Sequence, residues 1–222
     1  MYIGKKDLLP NNTKLNWEEC YAKIVLEEVI DKNYKKLEMK DKPDLQNDDL
    51  DVGIECTISI PSNQLEAENL FSELMENKSR NPSKTKKRIK DKGGNIQNDL
   101  LCQRRDVNIS NIKEVVVKKL KKLNGCNYRI FKNNYLLIRD DIIILENQVK
   151  DLQNEIQFEQ NKYEKRFSKI YILLCKKIIE LDMINNTNRE ICFDNNEQFL
   201  MSIEARKMAI NNENKLEKNK RI

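Results

Sequence analysis

The stretch KPDLQNDDLDVGIECTISI, residues 42–60, decides the fold. From Val52 onward it is rich in β-branched residues and alternates with a period of two, which predicts a strand over 52–60. Ile54, Cys56, Ile58 and Ile60 fall on one face, and Glu55, Thr57 and Ser59 on the other. Glu55 is then a lone carboxylate on the polar face of an apolar strand. Upstream, Pro43-Asp44-Leu45 places a second carboxylate directly after a proline, where the chain is biased towards an extended start. Ten residues separate Asp44 from Glu55, enough for a hairpin that sets the two side by side. Adjacent carboxylates raise one another's pKa unless a cation lies between them. Oxygen-only donors suit Mg²⁺ or Mn²⁺ better than zinc. The plainer reading of the same residues is a half-buried edge strand with Glu55 in solvent and a surface turn at Asp48, Asp49 and Asp51.

The flanks of this stretch read as helices. Residues 1–15 form an irregular arm, and Asn16 with Glu19 makes a capping box for a helix over 17–30. Trp17, Cys20, Tyr21, Ile24 and Val25 share its apolar face. At 100° per residue Glu28 falls near the centre of that face and should point inward, or else it marks the fraying end of the helix and escapes to solvent. Beyond Pro61, Asn63 and Glu66 form a second capping box for a helix to about residue 76, carrying Leu65, Leu70, Phe71, Leu74 and Met75. Helix, acidic extended segment, strand and helix in this order imply an α/β (α+β) core with the 53–60 strand at its centre.

At this point the residues resemble a family. Pro43-Asp44 followed by Glu55-Cys56-Thr57 is similar to the motif of the PD-(D/E)xK nuclease-like superfamily. The resemblance implies a restriction-endonuclease-like core, a central mixed sheet flanked by helices, and divalent-metal-dependent hydrolysis of a phosphodiester in nucleic acid. It implies Asp44 and Glu55 as metal ligands with the Cys56 carbonyl as a third oxygen, and Glu28 as the glutamate that the family's first helix often contributes. The family's catalytic lysine aligns with Thr57, which carries no charge. The catalytic set implied is therefore Asp44, Glu55 and Thr57, with Lys42 the lysine nearest in sequence.

The rest of the chain adds one basic element and an extension. Residues 78–92 hold eight Lys or Arg, Lys78 and Lys92 at their ends, against the single acid Asp91, a net +7 in a chain whose total is +5. This reads as a flexible basic insertion over 78–95, which either contacts DNA or RNA phosphates without reading bases or is merely solvated. Ser110 is a candidate N-cap for a helix to about residue 123, with Ile112, Val116, Leu120 and Leu123 inward. Residues 128–138 give strand-like runs about Asn133-Asn134, either a hairpin or one bent strand. A long amphipathic helix over 145–167 has heptad-like spacing and either packs on its own domain or forms an arm for a homo-oligomer. Two strands within 169–183, a third at 191–193 and a helix from about Asn196 form a C-terminal extension, followed by a polar tail over 211–222. Residues 1–210 thus form one domain.

Composition excludes several classes. The chain has no histidine, so mechanisms that need imidazole fall away. Six cysteines lie in no C-x-x-C pair and read as reduced core thiols. Five glycines build no phosphate loop or dinucleotide turn. No apolar run reaches 18 residues and no leader is evident, which suggests no membrane contact and a cytoplasmic, intracellular protein. Three readings stay open: a metal-dependent nuclease, an inactive nuclease-fold protein that binds nucleic acid, and a structural or partner-binding protein using the 145–167 helix.

Overall fold

The computed structural model describes residues 13–75, 77–97, 100–103, 109–140 and 142–219, so most of the N-terminal arm lies outside the described residues. Helix α1 (Thr13–Val25) continues into a π-turn (Leu26–Ile30) and a 3₁₀ turn (Lys32–Lys36). Strands β1 (Glu38–Met39), β2 (Leu45–Asn47) and β3 (Val52–Ile58) lead to α2 (Ser62–Met75) and α3 (Pro82–Asp91). A hairpin, β4 (Gly94–Gln97) and β5 (Leu100–Gln103), precedes α4 (Ser110–Leu123). The chain closes with β6 (Asn133–Arg139), α5 (Glu146–Gln160), β7 (Lys169–Leu173), β8 (Lys177–Asp182), β9 (Thr187–Cys192) and α6 (Asn195–Asn219).

Seven strands form one mixed sheet in the order β1-β2-β3-β6-β7-β8-β9. The fold is therefore of the α/β (α+β) class expected. β3, β6 and β7 run parallel, while β2 pairs antiparallel with β3 and the β8–β9 hairpin continues antiparallel from β7. Parallel strands joined through helices are covered on both faces, and the alternation along β6 and β7 consequently divides two cores rather than core from solvent. Val52 and Ile54 join Leu137, Tyr171 and Leu173 beneath α1 and α6. On the opposite face Leu136, Ile138, Ile170 and Ile172 meet Ile112, Val116, Leu120 and Leu123 of α4 and Val149, Leu152 and Ile156 of α5.

The 128–138 segment is neither a hairpin nor one bent strand: its second run is β6 from Asn133, and residues 128–132 lead into it without regular structure. The long helix ends at Gln160, short of residue 167, and its apolar stripe is spent on its own sheet. The last strand starts earlier than expected, at Thr187, because the turn over 183–186 extends β8 directly into β9. The expected polar tail is instead helical to Asn219 as the end of α6.

The capping boxes are displaced. α1 begins at Thr13 and α2 at Ser62, so Asn16 and Asn63 lie inside helices, and Ser110 is the first residue of α4, with Ile109 at the N-cap position. The six cysteines are free, yet only Cys20 is fully buried and Cys102, Cys126, Cys175 and Cys192 are exposed. Among the described residues no helix is long and apolar enough to cross a membrane.

Residues 78–95 are not a flexible loop. Asn81 accepts the Lys84 N–H as an N-cap, and Pro82 occupies the first helical turn of α3, where a missing N–H costs nothing. Thr85 and Ile89, four residues apart, are the buried face. Ile89 joins Leu70 and Phe71 in a small third cluster, flanked by Leu74, Met75, Ile96 and Leu101. Glu66 of α2 binds both Arg88 (3.2 Å) and Lys92 (2.6 Å). Two buried positions in a lysine-rich run suffice to seat the helix.

Candidate functional site

The segment before β2 holds Asp44 against β3 through several bonds. The Asp44 carbonyl accepts the Lys40 N–H at 2.9 Å, and the buried Gln46 amide donates to the Pro43 carbonyl at 2.8 Å. Gly53 makes room for this packing: a Cβ there would lie 2.7 Å from Pro43 Cγ and 2.4 Å from Phe131 Cδ2. Asp44 Oδ2 then accepts the backbone N–H of Cys56 at 2.7 Å. Asp44 and Glu55, separated by ten residues in sequence, are thereby brought together at the C-terminal half of β3.

Glu55 lies opposite Leu136 in the parallel register, on the face covered by α4, and its side chain is only 1 % exposed. Lys119 Nζ donates to Glu55 Oε1 at 2.7 Å and approaches the Cys56 carbonyl at 3.4 Å. Lys122 Nζ donates to the same Oε1 at 2.6 Å, and the Tyr128 hydroxyl donates to Oε2 at 3.0 Å. Burial alone would raise the Glu55 pKa, but the two ammoniums outweigh it and hold the carboxyl below its ordinary range. Lys122 answers in kind: desolvation opposes its charge, yet the Glu55 carboxylate raises its pKa. The Tyr128 hydroxyl is pushed well up, first by burial and then by the charge of Glu55.

Asp44 is raised by burial and by Glu55, against the opposing pull of the Cys56 N–H. The Cys56 thiol is raised well above its ordinary value by burial and then by Asp44. A third carboxyl feels the charge of Asp44 and Glu55. Glu19 of α1 has its pKa raised from 4.5 to about 7, by burial first and then by the charges of Asp44 and Glu55. Glu19 has no hydrogen-bond or ion-pair partner among the described residues, whereas its neighbour Glu18 is held by Arg139 at 3.0 Å.

Of the two placements open to Glu28, the inward one is corrected and the outward one is found. It is exposed and paired with Lys32, in the π-turn that ends the helix. Counting at 100° per residue misplaced it because residues Cys20–Leu26 are buried without interruption: α6 covers one side of α1 and the sheet the other, so no single face marks the interior. Glu19, read from sequence as a capping partner, takes the inward place. Lys42 pairs with Asp41 at 3.7 Å and is half exposed. Thr57 stands two residues beyond Glu55 on the same face of β3 and is partly buried, and no lysine lies at that strand position.

Sequence reading missed Glu19, Lys119, Lys122 and Tyr128. The only available signal for the lysines was their position on the flank of the Ile112–Val116–Leu120–Leu123 stripe, three residues apart on one side.

The donor set is oxygen-only and carries one unpartnered carboxyl, which fits a hard divalent cation in kind. Among the described residues no three His, Cys, Asp or Glu side chains are gathered into a ready metal cage. Both Glu55 oxygens and one Asp44 oxygen are engaged by protein donors. No protein-family model, curated protein or solved structure matches the chain.

Proposed function

We propose that this chain is a divalent-cation-dependent nuclease of the PD-(D/E)xK type, in which lysines from α4 take the place of the lysine absent at Thr57. The observation that carries the reading is the Lys119 ammonium, which touches both Glu55 Oε1 and the Cys56 carbonyl. A charge needed beside this acid pair does not have to come from the strand. A helix crossing the same face supplies it.

Asp44, Glu55 and Glu19 would hold Mg²⁺ or Mn²⁺, which supplies Lewis-acid chemistry and a more acidic water. The chain's own residues do the rest. Lys119 and Lys122 offset the negative charge that builds on the phosphoryl oxygens as a water oxygen bonds to phosphorus and the bond to the leaving sugar oxygen breaks. The attacking water gives up a proton to solvent, and the leaving oxygen takes one from solvent and departs as a hydroxyl. Tyr128 fixes the Glu55 carboxylate, and the Cys56 N–H fixes that of Asp44, so neither turns away from the substrate.

One observation favours a second reading, an inactive fold that binds nucleic acid: both oxygens of Glu55 are already satisfied by three donors. The two are separated by incubating the purified chain with end-labelled DNA and RNA, with Mg²⁺, Mn²⁺ or EDTA. Cation-dependent cleavage that falls at least a hundredfold in Lys119→Gln and in Asp44→Asn supports the nuclease. No cleavage of any substrate with either cation overturns it and leaves the binding protein.

A further inference from the structure

The strongest unabsorbed feature is the outer side of α4. With Lys118 as origin and 3.6 residues per turn, Lys121, Lys122 and Lys119 fall at roughly −60°, 40° and 100°, while Ile112, Val116, Leu120 and Leu123 occupy roughly 120–200°. The four lysines form one continuous stripe that abuts the core stripe. Its inner two members are fixed on Glu55. Its outer two, Lys118 and Lys121, are exposed and have no hydrogen-bond or ion-pair partner among the described residues. The contrast on the same helix is Lys113, which binds Glu155 of α5 at 3.0 Å. Glu114, one turn before Lys118, does not pair with it.

Resting on the nuclease reading, we propose that α4 is the track for the substrate backbone, with Lys118 and Lys121 contacting the phosphates that flank the one at Glu55. Unpaired ammoniums one turn apart and contiguous with the acid cluster suit a regular chain of phosphodiesters. α4 presents no large exposed apolar side chain, so it has nothing to insert into a lipid surface and no platform on which to stack bases. The partner chemistry is therefore a nucleic-acid backbone held without regard to sequence. α3 offers a comparable outer face in Lys84, Lys86, Lys87 and Lys90, likewise exposed and unpaired among the described residues, and serves as the internal comparison.

The test uses the full chain, a fluorescein-labelled 20-mer duplex and the matching single strand, and anisotropy in EDTA over a range of NaCl. For the duplex, Lys118→Gln with Lys121→Gln is expected to lower the slope of log K against log [salt] by about 2 and to weaken binding roughly tenfold at low salt, since each lost phosphate contact removes about 0.9 from the slope. Lys118→Arg with Lys121→Arg is expected to keep the slope. Matched thermal melts show that the variants fold. An unchanged slope in the Gln pair overturns the α4 track, as does a drop confined to the quadruple Gln variant of α3, or a wild type that binds neither strand form. Cleavage is scored separately in Mg²⁺: a reduced slope without cleavage by the wild type retires the nuclease reading alone, while cleavage with an unchanged slope retires the α4 track alone.

Discussion

Glu19→Gln should make the protein more stable at pH 8, and by an amount the site itself sets. Burial first, and then the charges of Asp44 and Glu55, raise the pKa of this carboxyl from 4.5 to about 7, an ionisation cost of up to about 3.4 kcal/mol at 1.36 kcal/mol per pH unit. Glu19 is only partly buried, and solvent screening brings the expectation to about 1.5 kcal/mol. The raised pKa means that the native state binds the proton more tightly than the unfolded chain. Stability is therefore full below about pH 4.5 and is lost as pH rises through about 7. Glutamine removes that loss. Urea denaturation in EDTA should show the variant ahead by about 1.5 kcal/mol at pH 8, with the gap narrowing below pH 7 and closing near pH 4.5. Adding Mn²⁺ should stabilise the wild type more than the variant, because a cation binds only where the carboxylate is present. Equal or lower stability of Glu19→Gln at pH 8, or a gap indifferent to pH, would refute the raised pKa of Glu19 and the burial and acidic surroundings it is argued from.

Three other substitutions probe the supports of the site. Gly53→Ala drives a methyl into Phe131 and Pro43; a loss of about 1–3 kcal/mol is expected, with faster exchange of the Cys56 amide as Asp44 is displaced. Glu55→Gln leaves Lys119 and Lys122 without a counter-charge and should cost about 3 kcal/mol at pH 7. Because Glu55 titrates below its ordinary range, its contribution is present above about pH 4.5 and disappears as pH falls through the folded value, so acid melts of wild type and variant should converge. Gln153 is fully buried and donates to the carbonyls of Asp182 and Thr187, both at 3.0 Å, while accepting from Asn188. Gln153→Ala should cost about 2–3 kcal/mol in chemical denaturation, and no change would mean that the β8–β9 hairpin does not depend on α5.

Where a single physical signal governed, the sequence could be read directly. The period of two from Val52 to Ile58 and the 3.6-residue stripe of Ile112, Val116, Leu120 and Leu123 correspond to elements whose partners lie on defined faces. The pairing of Asp44 with β3 was legible because a short antiparallel connection leaves few geometries. Glu19 and Glu28 were not separable, since both belong to a helix enclosed from two sides, and amphipathicity carries no direction there. Lys119 and Lys122 reach Glu55 across more than sixty residues of chain, and a KKLKK run announces only solvation until the strand beneath it is known. The basic helix α3 was obscured by charge density, which hides a cap at Asn81 and a two-residue footing at Thr85 and Ile89.

That footing has a consequence for the protein's motions. The α2–α3–hairpin unit rests on a cluster with just three fully buried apolar side chains among the described residues, Leu70, Phe71 and Ile89, whereas both faces of the main sheet carry far larger cores. Opening free energy follows local burial, so amide exchange should divide the chain into at least two cooperative units. The amides of α3 and the β4–β5 hairpin would exchange through a low-energy local opening, and those of β3, β6 and β7 only through global unfolding. The basic helix can thus detach and re-seat while the acids and lysines around Glu55 stay in register.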